Sequence, residues 1–346
     1  MRPSTDTTAL SSRRAATAGN PLEADIAKRG SVGIVLGDIG GTNVRLAELR
    51  DGVLGPVAHM AVADHLQFGD VLAAFMAGRA DRDSILQAMF GVAGVIDDDR
   101  CALTNNSWVI DARELRDRFG FDRVQLVNDF EAVAWSLPQL GPRHVRQIGL
   151  GKPKPLAPMA VLGAGTGLGV AAYVPVGQGA TVMRSEGGHT ALAGASLRED
   201  AIIATLRKQF GYVSAERVLS GAGLENLYNA IASLDSLTAP RRDAAAIVEA
   251  ARGGNCATSA AALETFCALF GAVAGDFALA FGAQGGVYIA GGIAAHLRDY
   301  LPSSQFRTRF DAKGKMSRYV EAIPAYLILH DDPAFLGLSA LAMQHA

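Results

Sequence analysis

Two stretches, Leu36-Gly37-Asp38-Ile39-Gly40-Gly41-Thr42-Asn43 and Leu162-Gly163-Ala164-Gly165-Thr166-Gly167-Leu168-Gly169, decide how this chain folds. Each follows a short apolar run (Ile34-Val35-Leu36; Ala160-Val161-Leu162) and precedes another (Val44 to Leu49; Val170 to Val174), the pattern of a β-hairpin with a glycine turn. Glycine leaves backbone N–H groups uncovered, which is what a polyphosphate requires of a turn. Neither turn completes the Gly-x-Gly-x-x-Gly pattern, because Leu168 and Val170 stand where glycine is needed, and neither Gly151-Lys152-Pro153 nor Gly314-Lys315-Met316 completes a P-loop. Either turn alone reads more readily as an ordinary tight hairpin. The pair reads as a clamp that holds a nucleotide from two lobes, with Gly40, Gly41, Thr42, Asn43, Gly165, Thr166 and Gly167 as its phosphate-facing candidates.

Between the hairpins the pattern alternates. Val71 to Met76 and Ile85 to Met89 read as helical pieces, Met89 to Val92 as a strand, Asp111 to Phe119 as a helix, and Val124 to Val127 as a strand that ends in Asn128-Asp129. A helix follows from Glu131 to Leu137. Alternating strands and helices imply a mostly parallel sheet. The stretch Leu140 to Pro158, with Pro142, Pro153, Pro155 and Pro158, has the composition of a loop, and a first domain boundary falls near Leu140. Beyond it the chain reads as the second hairpin, helices at Glu199 to Phe210, Leu224 to Ala251 and Thr258 to Phe281, a buried strand Gly286 to Ala290, a strand Tyr326 to Leu329 and a last helix Ala334 to Met343.

Chemistry concentrates at a few places. Asp129 follows the end of a strand, where ligands gather in open α/β sheets, and its carboxylate suits a general base that takes a hydroxyl proton during phosphoryl transfer. A helix N-cap is the competing reading. Asn128 beside it suits a neighbouring hydroxyl. Glu186-Gly187-Gly188-His189 and Glu216 supply acceptors of the kind a polyol needs, although Glu216 also reads as a surface ion pair with Arg217 or Arg207. Gly291-Gly292, after a buried strand, lets an adenine or ribose lie against backbone. Asp38 in the first turn, with Ala164 at the matching place in the second, offers one carboxylate to a Mg²⁺ that keeps most of its waters; an Asp bonded within its own turn is the alternative.

Composition excludes several classes. Apolar residues make up 49% and charged residues 19% of 346, which fits a well-buried α/β enzyme of two lobes, and a net charge of −2 gives no excess to draw nucleic acid or an anionic membrane. The three cysteines, Cys101, Cys256 and Cys267, are scattered and odd in number, which speaks for a reducing compartment and against structural zinc. The apolar run Phe266 to Phe281 is broken by Gly271, Gly275 and Asp276 and reads as a buried helix. Residues 1–30 lack an apolar signal-peptide core and read as a disordered extension.

Taken with Thr104 to Trp108, Ser185 to His189, Ser214 to Gly221 and Ile289 to Ile293, these blocks resemble the bacterial glucokinases of the hexokinase-related type, within the actin-like, sugar-kinase and Hsp70 ATPase superfamily. The resemblance runs from about Gly33 to the C-terminal helix. It implies a two-lobed actin-like (ribonuclease H-like) α/β fold with the active site in the interdomain cleft: a small domain of residues 31–139 plus 330–346 and a large one of 140–329. It further implies ATP-dependent phosphorylation of glucose at its 6-hydroxyl, as the first step of glycolysis. In that scheme Asp129 is the base, Asn128, Glu186, His189 and Glu216 bind sugar, and Mg²⁺ lies near Asp38. A cytoplasmic homodimer and a cleft that closes on substrate are also implied. The rival readings are a kinase for another hexose or amino sugar, a sugar sensor without turnover, and an ATPase of the chaperone or filament kind.

Overall fold

The computed structural model describes residues 32–79, 82–104 and 106–344, so the extension expected at 1–30 lies outside the described residues. The first sheet grows from the antiparallel hairpin of β1 (Gly33–Ile39) and β2 (Asn43–Arg50). β3 (Val53–Leu54) and β4 (Ala58–Ala61) pair antiparallel with β2, while β5 (Ile85–Val92) and then β9 (Arg123–Asn128) run parallel on the β1 side. A small antiparallel sheet of β6 (Ile96–Asp97), β7 (Arg100–Ala102) and β8 (Val109–Asp111) is inserted between β5 and β9 in the chain.

The second sheet repeats the plan. β11 (Met159–Ala164), β12 (Leu168–Val176) and β13 (Gly179–Ser185) form an antiparallel meander, β14 (Gly286–Ala290) and β15 (Ala325–Ile328) run parallel on the β11 side, and β10 (Val145–Ile148) closes the far edge.

Alternation along the strands sets the layers, since successive side chains point to opposite faces. On the outer face of the first sheet Val35, Ile39, Val44, Leu46 and Phe90 pack against α1 (Phe68–Ala77) and α2 (Ala112–Phe119). Leu36, Ala47, Leu49 and Met89 face inward onto α3 (Asp129–Ser136) and the C-terminal α11 (Pro333–Gln344). Those two helices are covered from the other side by Val161, Ala171, Tyr288, Ala290 and Ile328 of the second sheet. Its outer face, with Leu162, Val170, Val287 and Ile289, carries α4 (Leu197–Phe210), α5 (Gly221–Leu234), α6 (Ala244–Arg252) and α7 (Ala257–Ala280), with the short α8 (Gly292–His296), α9 (Phe306–Asp311) and α10 (Ser317–Glu321) alongside. The result is helix, sheet, helix pair, sheet, helix: two lobes with α3 and α11 between them, the actin-like α/β architecture.

The helix pair is in backbone contact. A Cβ added to Gly337 of α11 would lie 1.7 Å from the Ala132 carbonyl oxygen of α3, so only glycine permits this crossing. The helix α7 is long and apolar enough to cross a membrane, yet Leu263, Phe266, Phe270 and Ala274 on it belong to the core of the second lobe. It is the buried helix the sequence predicts.

Several expectations are corrected. Ile85 to Met89 is not helical but the start of β5, because that segment lies between β1 and β9 and is covered on both faces; a short apolar run does not reveal its period. The segment from Leu140 to Pro158 is not wholly a loop, since it contains β10. The strand β13 and the small sheet β6–β7–β8 have no counterpart in the sequence reading. The acidic run Asp97-Asp98-Asp99 is exposed, with Asp98 and Asp99 turning between β6 and β7 at φ of 44° and 65°.

Candidate active site

The strand β9 delivers Asn128 and Asp129 to the mouth between the sheets. Asn128, not Asp129, caps α3: its Oδ1 accepts from the N–H groups of Phe130 (3.0 Å) and Glu131 (3.1 Å). The amide oxygen of Asn128 is thereby committed, and its Nδ2 is the group left for a ligand. Asp129 is freed from capping, and its Oδ1 accepts the Phe130 N–H at 2.9 Å. Burial, then the like charge of Asp38, push its carboxyl up to about 7; the Phe130 N–H opposes this, and Glu186 adds to it. A carboxylate poised there changes protonation in the range where a general base is useful.

The two hairpin tips face this carboxylate. Gly40 N–H is spent on Asn43 O (3.0 Å) and Gly165 N–H on Gly167 O (2.8 Å), which leaves the N–H groups of Gly41, Thr42, Thr166 and Gly167 without backbone partners among the described residues. The second tip is held from outside as well. Gly221 N–H at the start of α5 donates to Gly165 O (2.9 Å), and Leu168 N–H donates to Glu216 Oε2 (2.9 Å).

Glu216 therefore does not make the ion pair with Arg217 or Arg207 that competed for it. Arg217 lies over the Phe210 ring instead, at 4.5 Å. A backbone bond from Glu216 N to Gly188 O (2.8 Å) draws Glu216 to the Glu186–His189 turn. His189 stands between two carboxylates, 3.9 Å from Glu186 Oε2 and 3.9 Å from Glu216 Oε1, distances too long for direct hydrogen bonds but close enough for one ligand to touch all three. Tyr212 Oη donates to His189 O (2.9 Å) and steadies the turn.

Asp38 belongs to a different cluster. Arg45, its partner across the β1–β2 ladder, places Nη1 3.4 Å from Asp38 Oδ2 and 3.1 Å from Asp332 Oδ1 at the start of α11. Burial raises the Asp38 carboxyl pKa, Arg45 pulls it down and Asp332 raises it further. The register also corrects the match drawn from sequence. Asp38·Arg45 is the last inward-facing pair of the first hairpin, and its counterpart in the second is Gly163·Gly169, while Ala164 faces outward into the core. Among the described residues no group of three or more His, Cys, Asp or Glu side chains could cage a metal. A single oxygen donor such as Asp38 fits a hydrated Mg²⁺ held mainly by phosphate oxygens.

The candidates line two adjoining cavities. The first, about 380 Å³, is bordered by Gly40, Gly41, Asn128, Asp129, Gly165, Thr166, Gly167, Glu186, His189, Glu216 and Gly291. The second, about 390 Å³, is bordered by Asp38, Arg45, Asp129, Gly291, Gly292, Arg298 and His330. Asp129, Phe130 and Gly291 line both. Gly291 is required by conformation and space alike, with φ of 89° and the Ala164 carbonyl oxygen 2.4 Å from any added Cβ. Thr42 and Asn43 border neither cavity and are exposed at the first tip. Sequence reasoning missed Arg45, Thr104, Ser185, His330 and Asp332. Thr104 and Ser185 lie within blocks that carry the resemblance but received no role of their own, and Arg45 carries a signal in standing opposite Asp38 in a hairpin whose turn is readable.

The Glucokinase family model matches residues 35–345. A glucokinase of Paramagnetospirillum magneticum is 44% identical over 311 residues, which span 89% of this chain and 97% of that protein. The crystal structure of a glucokinase from an Antarctic psychrotroph superposes with a TM-score of 0.81 at 34% identity, covering 90% of this chain and 99% of that one. A ROK family glucokinase from Streptomyces griseus, solved in complex with glucose and AMPPNP, shares the fold with a TM-score of 0.60 at 19% identity, covering 91% of this chain and 100% of that one. A match over nearly the whole length, in sequence and in fold, shows that this chain is an enzyme of the Glucokinase family.

Proposed function

We propose that the chain transfers the γ-phosphoryl group of ATP to the 6-hydroxyl of D-glucose, with Asp129 as the base. The observation that carries this reading is the place of Asp129: a carboxyl pushed up to about 7, between two hairpin tips with open N–H groups and beside the Glu186, His189 and Glu216 cluster. In this mechanism the N–H groups of Gly41, Thr42, Thr166 and Gly167 bind β- and γ-phosphate oxygens, with the exposed Asn43 near the first tip. Gly291 and Gly292 receive the nucleoside against backbone. Asn128 Nδ2, Glu186, His189 and Glu216 hold the sugar hydroxyls, and fix its 6-hydroxyl in line with the phosphorus. Asp129 accepts the hydroxyl proton as the new P–O bond forms and the bond to ADP breaks. Asp38 would hold Mg²⁺ through water, and the ion would supply charge neutralisation for the phosphates.

The proposal includes lobes of residues 31–139 plus 330–346 and 140–329, a homodimer, and a cytoplasmic role at the start of glycolysis. The decisive experiment is ATP-to-ADP turnover by the purified protein with Mg²⁺ and no sugar, glucose, mannose, fructose or N-acetylglucosamine, with the product assayed as the 6-phosphate. Turnover confined to glucose is expected. Turnover with another sugar would replace the substrate, and sugar-independent hydrolysis or none would overturn the reading.

A further inference from the structure

We propose that Phe130 is a positioning residue that couples the second glycine hairpin to the Asp129 carboxylate. The proposal rests on the reading of Asp129 as the base and goes beyond it by naming what moves and holds that base.

The side chain and the main chain of Phe130 act on different lobes. Its ring lies on the Gly163·Gly169 pair: a Cβ added to Gly169 would fall 1.9 Å from Cδ2 and 2.2 Å from Cε2 of the ring, and one added to Gly163 would fall 2.3 Å from Cζ. Because the two glycines face each other across the β11–β12 ladder, they form one socket with no side chain of its own. The N–H of the same residue donates to Asp129 Oδ1 (2.9 Å) and Asn128 Oδ1 (3.0 Å). One residue thus seats its ring on the hairpin that carries Thr166 and Gly167, while its backbone holds the carboxylate across the cleft. Ring and backbone nitrogen are separated by three bonds, so a shift of the hairpin toward a bound phosphate carries the Asp129 carboxylate with it. Phe130 also forms part of the wall between the two cavities.

A role in packing alone predicts that Phe130→Ala lowers stability and leaves kcat per folded molecule unchanged. Coupling predicts that Phe130→Ala lowers kcat by about 10²-fold, the scale of a 1 Å misplacement of a reacting group, while the glucose Kd stays within about threefold. Gly169→Ala, which displaces the ring, lowers kcat comparably, and Phe130→Ala with Gly169→Ala is no worse than Phe130→Ala alone because the methyl then has room. In an Asp129→Asn background Phe130→Ala costs nothing further. A kcat within about threefold of wild type for Phe130→Ala, or an undiminished loss in the Asp129→Asn background, overturns the coupling.

Hydrogen exchange reads the same link without turnover. In the wild type, AMPPNP with Mg²⁺ is expected to protect residues 163–169 and 128–133 together; in Phe130→Ala only the hairpin gains protection. Equal protection of both segments in the variant overturns the proposal. Absence of sugar-dependent turnover by the wild type would instead remove the proposed function, with the exchange result still deciding the coupling.

Discussion

The two hairpins share a fold and spend their last inward-facing ladder pair differently. In the first lobe the pair is Asp38·Arg45, and the start of α11 meets it with Asp332; in the second it is Gly163·Gly169, and the start of α3 meets it with Phe130. Each crossing helix follows the last parallel strand of one sheet and places its first turn on the hairpin of the other. One junction is ionic and half-open to water, the other apolar and without charge. A repeated scaffold therefore supports unlike chemistry at matching positions: charge is concentrated on the side of Asp38, and on the other side a ring fills the place where side chains would stand.

The largest expected effect tests the carboxylate that lies between these junctions. Asp129→Ala should lower kcat by about 10²- to 10⁴-fold with sugar binding retained, measured by steady-state kinetics and glucose titration. Its titration has a sign that can be checked. Since Asp129 must be ionised to take a proton, kcat/KM of the wild type should rise about tenfold per pH unit toward about 7 and then level. Stability runs the other way. The folded protein keeps a proton that the unfolded chain loses near its ordinary value of 3.8, so the stability linked to Asp129 is present below that pH and lost as pH rises through about 7. Asp129→Asn should accordingly raise Tm at pH 8 relative to wild type, with the difference shrinking near pH 4.

Comparing the junctions directly comes next. Phe130→Ala should destabilise by about 2–3 kcal/mol in urea unfolding, below the full range for a wholly buried ring because Phe130 is only half-buried. Asp332→Ala should cost under about 1 kcal/mol, since Arg45 and Asp332 are partly solvated and screened. The reverse order would dissolve the contrast between an apolar and an ionic junction. Between these in size, Glu216→Gln should raise the sugar KM about tenfold and the ATP KM much less. A larger rise in the ATP KM would mean that Glu216 acts through its bond to Leu168 N on the second tip and not on the sugar.

How much of this was legible follows from distance along the chain. The hairpins could be read because turn and flanking strands lie within about 15 residues, and Asn128-Asp129 because it ends an apolar strand. β10, Val-Arg-Gln-Ile at a sheet edge, could not, because it is short and its middle residues are polar and exposed, and β13, Gly-Ala-Thr-Val-Met-Arg-Ser, could not, because its inward residues Ala180 and Val182 are small while the apolar Met183 points outward, which blurs the hydrophobic pattern of a half-buried edge strand. The same holds for the site. Glu186-Gly187-Gly188-His189 is local and was seen, whereas Asp332 meets Arg45 across 287 positions and Phe130 meets its glycines only once two sheets face each other. The cap that competes with the base reading of Asp129 falls on Asn128 instead: the two are equally good capping residues, and only the backbone geometry separates them.

The contact of Gly337 with the Ala132 carbonyl has a thermodynamic consequence. The helices that meet there form a layer covered by both sheets, with Leu36 and Leu49 on one side and Val161 and Tyr288 on the other. Neither lobe can unfold and keep that layer, because its loss strips apolar cover from the inner face of the other. The cleft divides its chemistry between two lobes, but the shared layer couples their stability, so heat or denaturant is expected to unfold both lobes in transitions that coincide by different probes.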